Sequence, residues 1–172
     1  SPVKHVSFSP AGDLLAVGRQ DYKGEVWQVT AGQKLELFSS YNRLENAVGG
    51  DGKGYVLATS ESVVWLHDTD GEAFGLNLQG QTGKILDLAI STDGRLLAAG
   101  STDKKLYLWR VFDVTVQEEN GIANTSTRTL LGPLLLTLDQ HDGWVTSVAF
   151  CPEDDTMASA SEDGTVKVWR VS

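Results

Sequence analysis

The sequence predicts an all-β fold built from four stacked repeats, and three observations carry that prediction. A short signature recurs as Leu15-Ala16-Val17-Gly18, Leu57-Ala58-Thr59-Ser60, Leu97-Ala98-Ala99-Gly100 and Met157-Ala158-Ser159-Ala160, its alanines 42, 40 and 60 positions apart. A period near forty marks one supersecondary unit repeated along the chain. The tryptophans keep step with it: Trp27, Trp109 and Trp169 each lie 11 positions beyond their alanine. Finally, short segments of alternating apolar and polar residues are separated by Gly- and Asp-containing turns, with no convincing helix between them.

Each repeat reads as strand, turn, strand, turn, strand. The first gives Val3–Phe8, the turn Pro10-Ala11-Gly12-Asp13, Leu14–Gly18 and Glu25–Trp27. The second gives Arg43–Val48, a glycine-rich turn around Asp51-Gly52, Tyr55–Ser60 and Val63–His67. The third runs through Ile85–Ile90, Thr92-Asp93-Gly94, Arg95–Gly100 and Leu106–Trp109. The fourth runs through Val145–Phe150, Pro152-Glu153-Asp154-Asp155, Thr156–Ala160, Glu162-Asp163-Gly164 and Val166–Trp169. Fourth strands are predicted over Lys34–Phe38, Ala73–Leu78 and Leu134–Leu138, which divides the chain into units 1–39, 40–79, 80–139 and 140–172.

Two departures stand out. In the second repeat Trp65 and His67 fall on the same side of their strand, so either suits the tryptophan position. A two-residue deletion in the turn favours His67. The long third interval comes from extra residues over about 111–132, a polar, turn-prone stretch that includes Gln117-Glu118-Glu119-Asn120-Gly121. It is expected to be a solvated loop, the alternative being a partner-binding loop, since insertions in repeat proteins often map to one working face.

Composition bounds the function. The chain has 172 residues, 41% hydrophobic and 22% charged, enough for one ordinary domain with a sizeable core. Its net charge of −9, from 14 basic and 23 acidic residues, argues against a general phosphate-binding surface, so nucleic acid is not an expected partner. No apolar run is long enough to span a bilayer, and no stretch reads as a secretory signal. The one cysteine, Cys151, makes neither an internal disulfide nor a cysteine-based metal cluster. It reads as a small residue at a strand end and fits a reducing, intracellular and cytoplasmic setting.

The run Val145-Thr146-Ser147-Val148-Ala149-Phe150-Cys151-Pro152, followed by Ala158-Ser159-Ala160-Ser161-Glu162-Asp163-Gly164-Thr165-Val166-Lys167-Val168-Trp169-Arg170, closely resembles a WD-repeat (WD40) blade. The resemblance covers nearly the whole chain outside the insertion. It is strongest in the fourth repeat and weakest in the second. The family's glycine-histidine and tryptophan-aspartate marks are eroded to Gln140-His141 and Trp169-Arg170, with Trp27-Gln28 and Trp109-Arg110 closing two other repeats. The resemblance implies a β-propeller of four-stranded antiparallel blades.

It also implies a buried hydrogen-bond chain within a blade, linking a histidine, a serine or threonine, an aspartate and the tryptophan. Residue by residue this falls on His141, Ser159, Asp163 and Trp169 in the fourth repeat, which should make that blade the most rigid. The third keeps Asp103 and Trp109, with Gln81 and Ala99 in the other two places. The second keeps Thr59, with His67 as above, and the first keeps little beyond Trp27. Histidine, serine and aspartate are also the identities of an acyl-transfer triad. No strained Gly-x-Ser-x-Gly turn surrounds Ser159, however, and the blade explains all three, so an enzyme is not expected. His5, His67 and His141 lie in three different repeats and offer no ligand pair, so no metal and no cofactor are expected.

Strand counting leaves the ring incomplete. Four repeats fall short of the family's usual number, and the fourth carries three strands. The chain is a segment of a larger propeller, a half-ring that closes with a second copy or another subunit, or a free four-bladed ring. The expected function is a protein–protein interaction scaffold that uses the propeller rims. The alternative is a structural or sensor module completing a larger propeller, signalling protein or complex. Trp144, Lys84 and Asn42 directly precede the first strands of their repeats, with Tyr41 nearby, and form the candidate partner-binding rim. Trp144 is the leading anchor, since exposed tryptophan is enriched at interface hot spots, though it could equally pack across its own loop. The insertion follows a third strand and should emerge on the opposite rim.

Overall fold

In the computed structural model, backbone is described for residues 1–172 except 10–11, 22, 40–46, 50–54, 61–62, 68–72, 79, 118–124 and 172. Side chains are described outside residue 5 and the stretches 35–77 and 112–131. All regular structure among the described residues is strand. Blade 1 holds β1 (Val3–Phe8), β2 (Leu14–Arg19), β3 (Lys23–Gln28) and β4 (Gln33–Ser39). Blade 2 holds β5 (Ala47–Gly49), β6 (Tyr55–Ser60), β7 (Val63–His67) and β8 (Ala73–Asn77). Blade 3 holds β9 (Ile85–Ile90), β10 (Leu96–Ser101), β11 (Leu106–Gln117) and β12 (Thr125–Leu138), and blade 4 holds β13 (Val145–Phe150), β14 (Thr156–Ser161) and β15 (Val166–Arg170). Every sheet is an antiparallel meander in sequence order, and the inner strands β1, β5, β9 and β13 neighbour one another in turn.

The signature alanines lie on the second strands because the blades meet there. Ala16, Ala98 and Ala99 are fully buried, and a larger side chain would push neighbouring sheets apart. On one side of blade 3, Ile85, Leu88, Ile90, Leu97, Tyr107 and Trp109 form a core with Leu78. On its other side, Ala98, Leu106 and Leu108 pack against Val145, Val148 and Met157 of blade 4. Each Leu, Ile, Val or Met side chain among them contributes about 1.5–3 kcal/mol by leaving water. Gly100 lets the two blades close: a Cβ there would meet the Val145 carbonyl oxygen at 2.7 Å.

Two sequence expectations are corrected. The stretch 111–132 is not simply a solvated loop. Beyond the body of the blade, β11 and β12 continue as a two-stranded ribbon in which Val111 pairs with Leu131, Val114 with Arg128 and Gln117 with Thr125. Its β-branched content (Val111, Val114, Thr115, Val116, Thr125, Thr127, Thr129) favours extended backbone, which its polarity obscured. β11 starts opposite Gly100, at the Lys84 end of the sheet, and runs away from it, so the ribbon continues β11 and β12 beyond the other end.

In blade 2, register settles the tryptophan position differently. Trp27, Trp109 and Trp169 lie opposite Leu15, Leu97 and Met157, whereas Leu66 lies opposite the equivalent Leu57. His67 pairs with Val56 and Trp65 with Ala58, one place to either side. The first predicted strand of this blade, Arg43–Val48, lies mostly outside the described residues, as does the Asp51-Gly52 turn.

Candidate functional site

The fourth blade brings His141, Ser159, Asp163 and Trp169 into one chain of hydrogen bonds. The Trp169 Nε1–H donates to Ser159 Oγ at 2.9 Å, and Ser159 Oγ lies 2.8 Å from His141 Nε2. His141 Nδ1 lies 2.8 Å from Asp163 Oδ2. These partners are all satisfied by a neutral imidazole that carries its proton on Nδ1, accepts from Ser159 and donates to Asp163. His141 and Ser159 are 4% and 1% exposed, so the network is sealed from water, where unpaired polar groups would be costly. The His141 and Trp169 rings also meet edge to face, centroids 6.3 Å apart.

Asp163 fastens the hairpin turn as well. Its Oδ1 accepts from the amide and hydroxyl of Thr165, and its Oδ2 accepts from the Asp142 amide. The Thr165 hydroxyl, then the Asp142 amide and His141, hold the Asp163 carboxyl well below the usual carboxylate range against a smaller opposing effect of burial. A depressed folded-state value means stability that is present at neutral pH and lost on acidification. The unfolded chain takes up the proton from about pH 5 downward while the folded chain resists it. Wild-type thermal midpoints should therefore fall across that window, and Asp163→Asn should flatten the fall. An unchanged pH slope would show that the carboxylate is not the linked group.

Blades 3 and 1 solve the same problem with other residues. In blade 3, Asp103 Oδ2 accepts from the amide and hydroxyl of Thr82 and from Tyr107 Oη at 2.7 Å, while Tyr107 stacks on the fully buried Trp109 at 5.6 Å. Burial opposes ionisation of Asp103, yet the bonds from Tyr107 and Thr82 hold its carboxyl below the usual range. Burial, then the Asp103 contact, pushes the Tyr107 hydroxyl up. Gln81, in the histidine place, stays out of this network, its Oε1 buried without a hydrogen-bond partner. In blade 1 Trp27 Nε1 donates to Glu25 Oε2 at 3.0 Å, and Arg19 Nη1 donates to Glu25 Oε1 at 3.0 Å. Sequence reasoning missed Tyr107, Thr82, Glu25 and Arg19. For Tyr107 a signal existed: it sits two places before its tryptophan, on the same side of the strand. The side chains of Thr59 and His67 lie outside the described residues.

These networks stand beneath the candidate rim. Trp144 is 47% exposed, and its carbonyl accepts from the Glu162 amide at 3.0 Å. Lys84 occupies the equivalent place in blade 3, where its carbonyl accepts from the Thr102 amide at 2.9 Å. Each rim residue is thus tied by backbone to the hairpin turn that its own aspartate fastens. Tyr41 and Asn42 lie outside the described residues. Cys151 takes the place of Ser9 and Ser91 in the turn after each first strand. All three amides donate at 2.9 Å across that turn, to Thr156, Leu14 and Leu96 respectively, consistent with a turn residue.

The comparisons with known proteins agree with this architecture. The family described as "WD domain, G-beta repeat" matches residues 74–110 and 132–170, which contain the best-kept repeats. The chain is 28% identical to the "Periodic tryptophan protein 2 homolog" of Dictyostelium discoideum, over 96% of this chain and 17% of that protein. It is 30% identical to "WD repeat and HMG-box DNA-binding protein 1" of Xenopus laevis, over 97% of this chain and 13% of that protein. The structure of U3-55K superposes with a TM-score of 0.72 at 18% identity, over 98% of this chain and 49% of that one. The chain thus spans less than a fifth of the length of the two curated relatives and about half of the U3-55K chain. With four antiparallel blades stacked in sequence order and two repeats matched by the family model, this chain belongs to the WD-repeat family of β-propeller proteins.

Proposed function

We propose that the chain is a protein–protein interaction scaffold that binds through the rim on which Trp144 and Lys84 stand. The observation that carries this reading is the exposed indole of Trp144, set just ahead of a fully buried Val145 and anchored by its carbonyl to the Glu162 amide. A large aromatic side chain on rigid backbone offers contact area at little entropic cost. The chain's acidic balance sets it against bare phosphate as ligand. The Xenopus laevis relative is named a DNA-binding protein, but a protein ligand is what an apolar anchor favours. An intracellular, cytoplasmic setting and the absence of catalysis belong to this proposal. Affinity capture from the native source tests it, comparing wild type with Trp144→Ala and, as a control, Val29→Ala. Loss of at least one partner by Trp144→Ala alone is expected, and equal recovery of every partner would discard the rim.

A second reading, a module that completes a larger propeller or complex, is favoured by the chain's own internal comparison. Leu106 and Leu108 are 0% and 4% exposed against blade 4, whereas the register-equivalent Val166 and Val168 are 69% and 72% exposed. Val145 and Val148 are likewise buried at 0% and 6%, whereas their equivalents Val3 and Val6 stand 57% and 62% exposed. Faces that blades bury between them are bare on blades 1 and 4, which suits stacking against further blades. Sedimentation mass tests the half-ring form of this reading. A concentration-dependent dimer supports it, and a stable monomer at high concentration removes it.

A further inference from the structure

We propose that Asp87 is the residue that locks blades 3 and 4 into one rigid unit and thereby sets the spacing of the rim residues Lys84 and Trp144. Its carboxylate reaches across the blade boundary. Oδ2 accepts from Ser147 Oγ at 2.8 Å and from the Val148 amide at 2.8 Å, while Oδ1 accepts from the Leu88 amide at 2.9 Å. The bonds from Ser147 and Val148 cross from blade 4 to blade 3, and the bond from Leu88 ties the carboxylate to its own strand.

The placement has a physical logic. β9 and β13 are the inner strands of their sheets, each paired on one side only, so some of their amides lack a strand partner. A carboxylate supplies that missing acceptor to an amide of each strand at once. Bonds to an ionised acceptor are stronger than neutral ones. Asp87 lies three residues past Lys84, and its contacts Ser147 and Val148 lie three and four residues past Trp144. The clasp therefore acts at the rim ends of both strands. Beside it, Gly100 leaves room for Val145 to approach, so close packing and a directional bond meet at one junction. Packing of Leu106 and Leu108 on Val145 and Val148 holds the blades together but permits sliding. The clasp has direction and fixes register.

The link to partner binding rests on the rim reading above; the mechanical coupling does not. Two readouts on the full chain keep them apart. Amide hydrogen exchange in Asp87→Ala should show Val148 losing about tenfold or more in protection, the weight of a hydrogen bond to a charged group. Leu97 and Met157, inside their own blades, should keep theirs. Ser147→Ala should show a smaller loss, and the double variant should be no worse than Asp87→Ala, because one bond is being removed twice. Spin labels at Lys84→Cys and Asp142→Cys, in a Cys151→Ser background, should give a broader distance distribution when Asp87 is replaced. Unchanged Val148 protection, uniform loss across blade 4 or additive effects would overturn the clasp. Selective loss at Val148 with an unchanged label distribution would keep the clasp and overturn its control of the rim. If Asp87→Ala does not fold, Ser147→Ala carries the same tests alone.

Discussion

Replacing His141 by alanine is expected to lower stability by about 2–4 kcal/mol, a large share of what a small domain possesses. Three effects add. The imidazole leaves a cavity at a position only 4% exposed, and cavities cost in proportion to what cannot relax. Ser159 Oγ loses its acceptor in a site 1% exposed, where an unmade bond costs about 1–3 kcal/mol. Asp163 loses one of the donors that keep it ionised. Denaturant titration followed by tryptophan fluorescence measures the change. The His141→Ala, Ser159→Ala double variant should fall well short of the summed single losses, since both disrupt one network. A loss under about 0.5 kcal/mol would show that blade 4 does not depend on the chain of bonds.

A second large effect is expected at Gly143. A Cβ there would lie 2.5 Å from the Asp163 amide nitrogen and 2.9 Å from the Glu162 carbonyl carbon, both backbone atoms that cannot rotate away. Gly143→Ala must therefore lift the loop off the hairpin turn, at about 1–3 kcal/mol for an overpacked site. It would also strain the bond from the Glu162 amide to the Trp144 carbonyl. The same contact recurs in blade 3, where a Cβ on Gly83 would lie 2.6 Å from the Asp103 amide. Thermal unfolding of Gly143→Ala and Gly83→Ala checks both, and an unshifted midpoint in either would show that the loop has room to move.

The two glycines show where sequence reading stops. Glycine one place before a rim residue looks like ordinary loop punctuation, and its spatial partner lies 20 residues further along the chain. Asp163, by contrast, was legible, because the resemblance to a WD-repeat blade assigns an aspartate to that hairpin-turn position and pairs it with the histidine ahead of the first strand. Blade 1 marks the other limit. Nothing in the sequence sets Glu25 or Arg19 apart, yet Glu25 accepts from the Trp27 indole as a charged substitute for the serine used in blade 4, and Arg19 donates to Glu25 in turn. The ribbon of β11 and β12 escapes the sequence for a related reason. Polarity and β-branching pointed opposite ways, and strand pairing decided between them.

Periodicity by itself determined that this protein is an all-β stack of repeats, because strand alternation, turn residues and a recurring small-residue signature are local properties that repeat. The resemblance to a WD-repeat blade added the antiparallel propeller. Only the tertiary structure decided which residues meet. The pairing of Tyr107 with Asp103, the reach of Asp87 to Ser147 and the bare state of Val166 and Val168 each depend on distances between strands or blades. Those distances follow from how whole sheets pack, and no short window of sequence records them.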